Sequence, residues 1–259
     1  MRQKRVEGMN FRLLHREAGE VLAQDANRLK LIEAAMICLT PLTLYLLLTS
    51  TWRTVLLPML VPGSAAYAAC AIGFWSLLLL LTQFFTFPLL CGLLGMSAAM
   101  EAGEQTDLTE LFAPFRSGGS YRRALRISFC VLWRLCVLLL AECAVLLVLR
   151  QLENRLLILL LGIPAMLAVA VLLFWWFCGG FLHAYLVLCR PAAAERMRPY
   201  ARSVGLRYWV GYLPWLALSL LTFCILLLAD VLPRMLISYF RLCRKLNEMT
   251  TNPEDKNHE

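Results

Sequence analysis

Residues 66–96 read AYAACAIGFWSLLLLLTQFFTFPLLCGLLGM and contain no charged side chain. They belong to an uncharged interval of 47 residues between Arg53 and Glu101. A helix needs about 20 apolar residues to cross the roughly 30 Å hydrocarbon core of a bilayer, so this stretch predicts one long membrane-spanning helix. Thr54–Val61, which comes before it, is too short to cross, and proline and glycine then interrupt the chain. We expect Thr54–Val61 to form an interfacial or re-entrant piece.

The rest of the chain repeats this apolar pattern. Of its 259 residues, 60% are hydrophobic and 16% are charged, whereas soluble domains carry about 25% charged residues. The apolar stretches predict an all-α fold, a polytopic membrane helix bundle with amphipathic surface helices. Its five transmembrane helices lie at about 32–51, 66–96, 125–149, 160–188 and 208–231. This composition excludes a soluble enzyme and a secreted disulfide scaffold, and the scattered basic residues disfavour nucleic-acid binding.

The distribution of Lys and Arg predicts the orientation of the bundle. Segment 1–30 and the loops on its side hold 15 of these residues, and the opposite loops hold three. The positive-inside rule therefore places the N-terminus in the cytoplasm. Five spans would leave the C-terminus outside, although the tail after residue 233 carries five basic residues. Residues 233–247 then form either a sixth passage or, as we favour, a surface helix.

Amphipathic spacing marks the segments that we expect at the membrane surface. Residues 9–30 carry apolar side chains at helical intervals, and Asp107 with Glu110 resembles a capping box that opens a short helix. Pro191 can open another short helix. Segment 233–247 has one apolar face, which suits the bilayer interface. Its polar face contains Arg234, Ser238, Arg241 and Lys245.

These segments divide the chain into a cytoplasmic amphipathic part, 1–30, a transmembrane bundle, 31–247, and a polar tail, 248–259. The predicted partners are the lipid bilayer, its anionic headgroups and a membrane-protein partner. The basic residues that we expect to meet the headgroups are Arg122, Arg123, Arg196, Arg198 and Arg202. The alternative is that these segments are cytoplasmic connectors that only rest on the headgroups.

Ionisable residues inside apolar stretches are the best functional signal, because placing charge in a bilayer is costly. Arg134 and Glu142 lie eight residues apart in the third predicted span. That separation is about 12 Å along a helix, which is too far for a direct pair. Their candidate partners are His183 and Gln83. The four residues form either a structural polar lock between helices or a path for an ion or substrate.

The fourth predicted span contains two tryptophans, Trp175 and Trp176, followed closely by two glycines, Gly179 and Gly180. A tryptophan pair suits an interface belt or a packed bundle. A glycine pair lets helices approach closely or bend. We therefore expect tight packing or a bend at this point.

The sequence contains no pattern of catalytic residues. Ten cysteines lie almost entirely within apolar runs, and none forms a C-x-x-C pair, which is typical of cysteine acting as a small hydrophobic residue. There are three histidines and no H-E-x-x-H, nucleophile elbow or Walker motif. We therefore predict no enzyme activity, no metal and no cofactor.

Three short motifs resemble those of a known family, in the same order along the chain. Leu108–Arg116 reads LTELFAPFR and resembles an L-x-x-L-F-x-P-F-[KR] stretch. Tyr200–Ser203 is similar to an A-L-x-x-S helix, and Val231–Pro233 with Tyr239 is similar to a closing L-P-Y…Y segment. The family is the bacterial group of multi-pass membrane proteins called domain of unknown function 975. It is related to the membrane domain of some glycerophosphodiester phosphodiesterases.

The resemblance covers roughly residues 30–245. It implies a bacterial plasma-membrane protein and transfers no catalytic residue. The chain departs from the family pattern at Pro199, where the family keeps a continuous helix, and at Arg234, which replaces an aromatic residue.

From these features we predict a non-enzymatic integral membrane protein, a scaffold or a protein that interacts with lipids or a partner. The alternative is a small transporter or transporter accessory subunit. It would use Arg134, Glu142 and His183 in a polar intramembrane site. Only the transporter requires these side chains to converge on a hydrated cavity.

Overall fold

The computed structural model describes residues 11–24, 26–61, 64–150, 162–189, 191–222 and 225–251. Throughout these ranges the regular secondary structure is helical, which confirms the all-α prediction. The main helices are α1 Phe11–Leu22, α2 Asn27–Met59, α3 Ala65–Glu101, α4 Gly118–Arg150, α5 Ile163–Cys178, α6 His183–Leu188, α7 Ala201–Leu221 and α8 Leu232–Thr250. Shorter helical turns lie at Leu108–Phe112, Ala113–Arg116, Pro191–Ala193, Ala194–Met197 and Arg198–Tyr200.

Helices α2 and α3 are the two in the described part of the chain that are long and apolar enough to cross a membrane. They contain 33 and 37 residues, and an 18-residue stretch within each has a mean hydropathy of 2.0 and 2.1, respectively. They include the whole of the predicted spans 32–51 and 66–96. Helices α4, α5 and α7 overlap the other three predicted spans, and the bundle of five or six passages stays a prediction.

Thr54–Val61, which we expect to form an interfacial or re-entrant piece, is helical as far as Met59 and continues α2. Its position relative to a membrane stays a prediction. A π-helical stretch, Trp52–Leu56, comes just before Pro58. In this wider turn the backbone N–H of Leu57 donates to the carbonyl oxygen of Trp52. Pro58 follows directly and has no N–H to donate. The helix ends where Leu60 turns to an extended conformation, with φ −105° and ψ 133°.

The N-terminal segment forms two helices, where the apolar spacing predicted one run over 9–30. Helix α1 ends at Leu22, and Ala26 has a φ of 56°, in the left-handed region. Asn27 then begins α2, and its Nδ2 donates at 3.1 Å to the carbonyl oxygen of Val21, which also accepts from the backbone N–H of Gln24 at the end of α1. The spacing correctly predicted the apolar face of α1, where Leu14, Ala18, Val21 and Leu22 are buried.

The fifth predicted span, 208–231, is interrupted. Helix α7 begins earlier, at Ala201, and ends at Leu221. After the break, a π-helical stretch, Leu227–Val231, leads into α8. No proline or glycine marks the break in the sequence.

Helix α8 lies at the centre of the described core. Ile237, Phe240 and Leu246 on its apolar face are at most 1% exposed. One core cluster joins α8 to α6 and α7, and another joins it to α1, α2 and α3. Its polar face, which we expected to lie in water, packs against α1 through Arg234, Arg241 and Lys245. Helix α8 is therefore covered on both faces and is not a simple surface helix.

Candidate functional site

A cavity of about 300 Å³ lies among α3, α4, α6, α7 and α8. We call it the basic cavity, because its described lining contains Arg134 and His183 and no aspartate or glutamate. The remaining lining is apolar or aromatic and includes Leu94, Ile127, Phe181, Tyr208, Leu236 and Tyr239. Two of the four residues predicted for an intramembrane polar site therefore share one cavity.

Arg134 reaches from α4 to the turn between α5 and α6, residues 179–182, which we call the Gly-Gly turn. Its Nη1 donates to the carbonyl oxygen of Trp176 at 3.3 Å. Its guanidinium carbon lies 5.1 Å from the centroid of the Trp176 ring, a cation–π distance. A Cβ atom at Gly180 would lie 2.1 Å from the same Nη1. The glycine pair thus gives both the bend and the close approach that the sequence suggested.

Arg202 makes a comparable contact with the neighbouring tryptophan. Its guanidinium carbon lies 4.5 Å from the centroid of the Trp175 ring, and a Cβ atom at Gly179 would lie 3.2 Å from its Nε. Arg202 does not belong to the lining of the basic cavity. We expect Arg202 to contact lipid headgroups. In the structure its side chain is exposed and also stacks on the Trp175 ring. The other four predicted headgroup residues, Arg122, Arg123, Arg196 and Arg198, are exposed.

His183 is the first residue of α6. Its backbone N–H donates to the carbonyl oxygen of Gly180 at 2.9 Å, across the Gly-Gly turn. Its ring nitrogen Nε2 is buried and makes no hydrogen bond within the described residues. Buried polar atoms normally have a partner, so this nitrogen leaves one hydrogen-bonding position open beside the cavity.

Tyr239 on α8 connects the cavity wall to the Gly-Gly turn. Its hydroxyl donates to the carbonyl oxygen of Phe181 at 2.7 Å and accepts from the backbone N–H of Tyr185 at 3.2 Å. Tyr208 on α7 donates to the carbonyl oxygen of Met235 at 2.5 Å. Sequence reasoning did not assign these tyrosines to the site. The sequence feature that could have identified them is a tyrosine on an otherwise apolar helix face. A buried tyrosine hydroxyl needs a hydrogen-bond partner.

Of the other two predicted site residues, Gln83 does not belong to the lining of the basic cavity, and Glu142 cannot be placed. Gln83 lies in a π-helical stretch of α3, and its Nε2 donates to Ser128 Oγ at 2.6 Å. The structure thus gives Gln83 a buried partner, Ser128, that the sequence analysis did not single out. The prediction that Gln83 is a partner of Glu142 stays a prediction. Glu142 belongs to α4, and its side chain lies outside the described residues.

Charged residues meet in a second region, which we call the terminal cluster. It consists of Glu17, Glu101, Arg241, Arg244 and Lys245. Glu17 Oε2 lies 2.6 Å from Lys245 Nζ and 3.5 Å from Arg241 Nε. Glu101 Oε1 lies 3.1 Å from Arg244 Nη2 and 3.6 Å from Arg241 Nε. The cluster ties α8 to both α1 and the end of α3, and sequence reasoning missed it because its members are far apart in the chain.

His15 makes a further link between α1 and the C-terminal helices. Its ring stacks on Trp215 with centroids 5.2 Å apart, and its Nε2 lies 3.1 Å from Arg234 Nη1. Arg234 Nε also donates to Asp230 Oδ1 at 2.9 Å. Burial lowers the pKa of His15 below its usual value, and the charge of Arg234 lowers it further, whereas Asp230 opposes this.

Comparisons with protein-family models, with curated proteins and with solved structures found no match for this chain. The resemblance to domain of unknown function 975 stays a prediction from the three motifs. Within the described ranges, no three His, Cys, Asp or Glu side chains lie together as metal ligands would.

Proposed function

We propose that this protein is a multi-pass integral membrane protein of a bacterial plasma membrane, with its N-terminus in the cytoplasm. The observation that carries the proposal is that each of the five predicted spans exposes large apolar side chains. One example from each span, all 62–68% exposed, is Leu46, Ile72, Trp133, Leu167 and Leu213. Soluble monomers rarely expose contiguous apolar surface on this scale, whereas lipid tails surround it at no cost.

The terminal cluster supports an even number of passages. Arg234 near the start of α8 and Lys245 near its end both contact α1, so α8 lies along α1 and is not itself a passage. Lys245 pairs with Glu17, and Arg244 pairs with Glu101 at the end of α3. The C-terminal end of α8 therefore lies beside α1, on the side that we assign to the cytoplasm. An N-terminus and a C-terminus on one side require an even number of passages, and the five basic residues of the tail then obey the positive-inside rule.

Labelling of single cysteines in intact and permeabilised cells tests this topology. On a background without the ten native cysteines, we would introduce Glu20→Cys, Arg53→Cys and Thr251→Cys at exposed positions. The proposal predicts that an impermeant maleimide labels position 53 in intact cells and positions 20 and 251 only after permeabilisation. Labelling of 251 from outside would favour five passages. Extraction of the protein by alkaline carbonate would contradict membrane insertion itself.

Within the membrane, the protein acts without catalysis, as a scaffold that binds anionic lipid headgroups and a membrane-protein partner. Four exposed arginines support this role, Arg122 and Arg123 at the start of α4 and Arg196 and Arg198 between α6 and α7. A guanidinium group can bind a phosphate with two parallel hydrogen bonds. These residues lie on the side assigned to the cytoplasm, where anionic lipids attract basic segments.

The amount of anionic phospholipid that stays with the purified protein tests the headgroup role. Replacing the four arginines together with glutamine should reduce the retained anionic lipid several-fold. Arg53→Gln, which removes an exposed arginine from the opposite side, is the matched control and should leave it unchanged. Equal losses in both proteins would mean that the four residues do not form a headgroup site.

A small transporter, or an accessory subunit of one, is the second candidate. It is favoured by one observation, the convergence of Arg134 and His183 on the basic cavity. Single cysteines at 134, 142 and 183 separate the two roles. Labelling of these positions by a water-soluble maleimide would indicate a hydrated path, whereas no labelling would indicate a closed polar lock.

A further inference from the structure

We infer that a cavity at the end of α3 that we assign to the cytoplasm binds the phosphoethanolamine headgroup of a phospholipid. The cavity has a volume of about 410 Å³ and lies among α3, residues 104–114, the start of α4 and the end of α6. We call it the Gly95 cavity, after a glycine in its wall. The assignment rests on the proposed function, because a phospholipid reaches this cavity only in a protein that lies in the membrane. It deepens the headgroup role by naming the class of lipid that Arg123 binds.

Two opposite charges line the Gly95 cavity without pairing with each other. Its charged side chains are Arg123, Glu104 and Glu110. Glu110 pairs with Arg116 at 3.0 Å, whereas Arg123 and Glu104 form no ion pair with any described residue. Arg123 makes one neutral contact, from its Nη2 to Ser120 Oγ at 3.3 Å. One positive and one negative charge therefore face a ligand, and a zwitterion complements both.

The two charges follow each other in a defined order across the membrane surface. Ala124, the neighbour of Arg123, lies deep in the cavity, because its carbonyl oxygen accepts from Cys91 Sγ at 3.9 Å. Cys91 comes ten residues before Glu101, a distance of about 15 Å along α3. Glu104 follows the end of α3. From the bilayer outward the order is Arg123 and then Glu104, and an ethanolamine phospholipid presents its phosphate and then its ammonium in the same order.

The size and walls of the Gly95 cavity suit a headgroup with its glycerol. A volume of about 410 Å³ holds about 14 non-hydrogen groups, since one water occupies about 30 Å³ in the liquid. That is enough for phosphoethanolamine and the glycerol carbons, while the acyl chains stay in the bilayer. The deep wall is apolar, where Leu188 packs against Cys91 and Ala124. Ligand sites usually combine such apolar walls with a few placed polar groups.

The chemistry of the lining favours ethanolamine over choline. Among the described lining residues there is no aromatic side chain, whereas quaternary ammonium groups are typically bound by aromatic cages. A primary ammonium has N–H groups that donate to the Glu104 carboxylate, and a trimethylammonium group has none. The guanidinium of Arg123 can bind phosphate oxygens with two parallel hydrogen bonds.

Photocrosslinking of the full chain tests the assignment. The protein is placed in phosphatidylcholine nanodiscs that contain a trace of a phosphatidylethanolamine analogue with a diazirine at the start of one acyl chain. We expect crosslinks to peptides from α3, α4 and α6. Unlabelled phosphatidylethanolamine should compete about fivefold better than phosphatidylglycerol, which has the phosphate and no ammonium. Equal competition by phosphatidylglycerol would overturn the zwitterion as the ligand.

Soluble O-phosphoethanolamine distinguishes the two sources of this headgroup chemistry. It carries both charges but no glycerol and no chains, so it cannot use the apolar deep wall. We expect it not to compete at the concentration at which the phospholipid does. Competition as strong as that of the phospholipid would overturn a lipid as the source.

Two variants test the roles of the two charges separately. Arg123→Gln should reduce crosslinking of the ethanolamine analogue and of the matching phosphatidylglycerol analogue, because both contain the phosphate. Glu104→Gln should reduce crosslinking of the ethanolamine analogue about fivefold and leave the phosphatidylglycerol analogue unchanged. Arg126→Gln is the control, because Arg126 is exposed on the same helix and does not belong to the lining. Equal losses in the two arginine variants, or loss of both analogues in Glu104→Gln, would overturn the site.

Filling the Gly95 cavity keeps both charges and removes the space for the headgroup. A Cβ atom at Gly95 would meet no atom within 4 Å, so the side chain of Gly95→Leu extends into the cavity and should reduce crosslinking. Gly73→Leu is the matched control, since its Cβ also meets no atom within 4 Å and Gly73 does not line the cavity. Circular dichroism and gel filtration of each variant separate loss of binding from loss of folding. Unchanged crosslinking in a folded Gly95→Leu protein would place the headgroup elsewhere.

Failure of this assignment is distinguishable from failure of the proposed function. A protein that resists carbonate extraction and loses anionic lipid when the four arginines are replaced, yet shows no preference for the ethanolamine head, contradicts the Gly95 site alone. Extraction by carbonate would contradict the proposed function and the site together.

Discussion

The terminal cluster and the basic cavity both bring ionisable side chains together in an apolar chain, but they hold them by different contacts. In the cluster, Glu17 and Glu101 face three basic residues at 2.6–3.6 Å. In the cavity, Arg134 and His183 share a lining that has no carboxylate among its described residues. The terminal cluster stabilises the contact between distant helices. The cavity instead holds Arg134 against the carbonyl oxygen and ring of Trp176. The effects of mutation in the two regions should therefore differ in kind as well as in size.

The largest effect should come from Glu101→Gln in the terminal cluster. The Glu101 side chain is 4% exposed and faces Arg241 and Arg244. Removing one partner of a buried ion pair costs about 3–5 kcal/mol, and we expect about 3 kcal/mol here because Arg244 is partly exposed. Thermal unfolding of the purified protein, followed by tryptophan fluorescence, measures the loss. Glu248→Gln is the control, because Glu248 contacts the same Arg244 at 3.8 Å but is 66% exposed. Equal shifts in the two variants would contradict a special role for the buried carboxylate.

Gly180→Ala should have the next largest effect, through the basic cavity. The added Cβ would lie 2.1 Å from Arg134 Nη1, so the guanidinium must move off Trp176. Overpacking of this kind costs about 1–3 kcal/mol. Gly73→Ala has no atom within 4 Å of the new Cβ and should not destabilise the protein. In an Arg134→Ala background the Gly180→Ala penalty should largely disappear, and an undiminished penalty there would mean that the clash is with something else.

A smaller effect is expected at the partly exposed pair of Glu17 and Lys245, whose atoms lie 2.6 Å apart. Pairs of this exposure contribute about 0.2–1 kcal/mol. Glu17→Lys and Lys245→Glu should each lower the melting temperature, and the double exchange should recover part of the loss. The same unfolding assay gives the coupling energy of the cycle. Strict additivity of the two single changes would show that the pair does not stabilise the α1–α8 contact.

The smallest effect should be the pH dependence from His15. Its pKa is lowered in the folded protein, first by burial and then by Arg234. The unfolded chain therefore binds a proton more readily, so the His15 contribution to stability is present above about pH 6.5. It is lost as the pH falls from there through the lower folded pKa. Melting temperatures measured between pH 7.5 and 5.5 should fall more in the wild type than in His15→Gln. Parallel curves would exclude His15 as the source.

The fold could be predicted from the sequence where one local property decides it. The absence of charge over 66–96 is sufficient for a long apolar helix, and α3 contains that whole stretch. The break after Leu221 could not be predicted, because no proline or glycine marks it and Thr222, which ends α7 with φ −97° and ψ 27°, carries no distinctive signal in the sequence. Helix α8 was misjudged for a similar reason. Its amphipathic pattern is real, but the pattern does not say whether α1 or water covers the polar face.

The candidate site was predictable to the extent that ionisable residues in apolar stretches are rare. That rule selected Arg134 and His183 correctly as neighbours. Gln83 was added only as a candidate polar partner, and its amide bonds to Ser128. Side-chain chemistry alone does not give the angular position of a residue on its helix relative to the other helices. The role of Tyr239 depends on the carbonyl freed at the Gly-Gly turn, and only the folded chain shows which side chain reaches it.

The contact between α1 and α8 also has a consequence for biosynthesis. The hydrogen bond between His15 and Arg234 joins positions 219 residues apart. The ribosome must therefore synthesise α8 before α1 can pack against it. During translation the apolar face of α1, including Leu14 and Ala18, has to rest on the membrane or on a chaperone. A chain truncated before α8 would leave that face exposed and would present it to cellular proteases. Formation of the α1–α8 contact therefore has to follow the synthesis of α8.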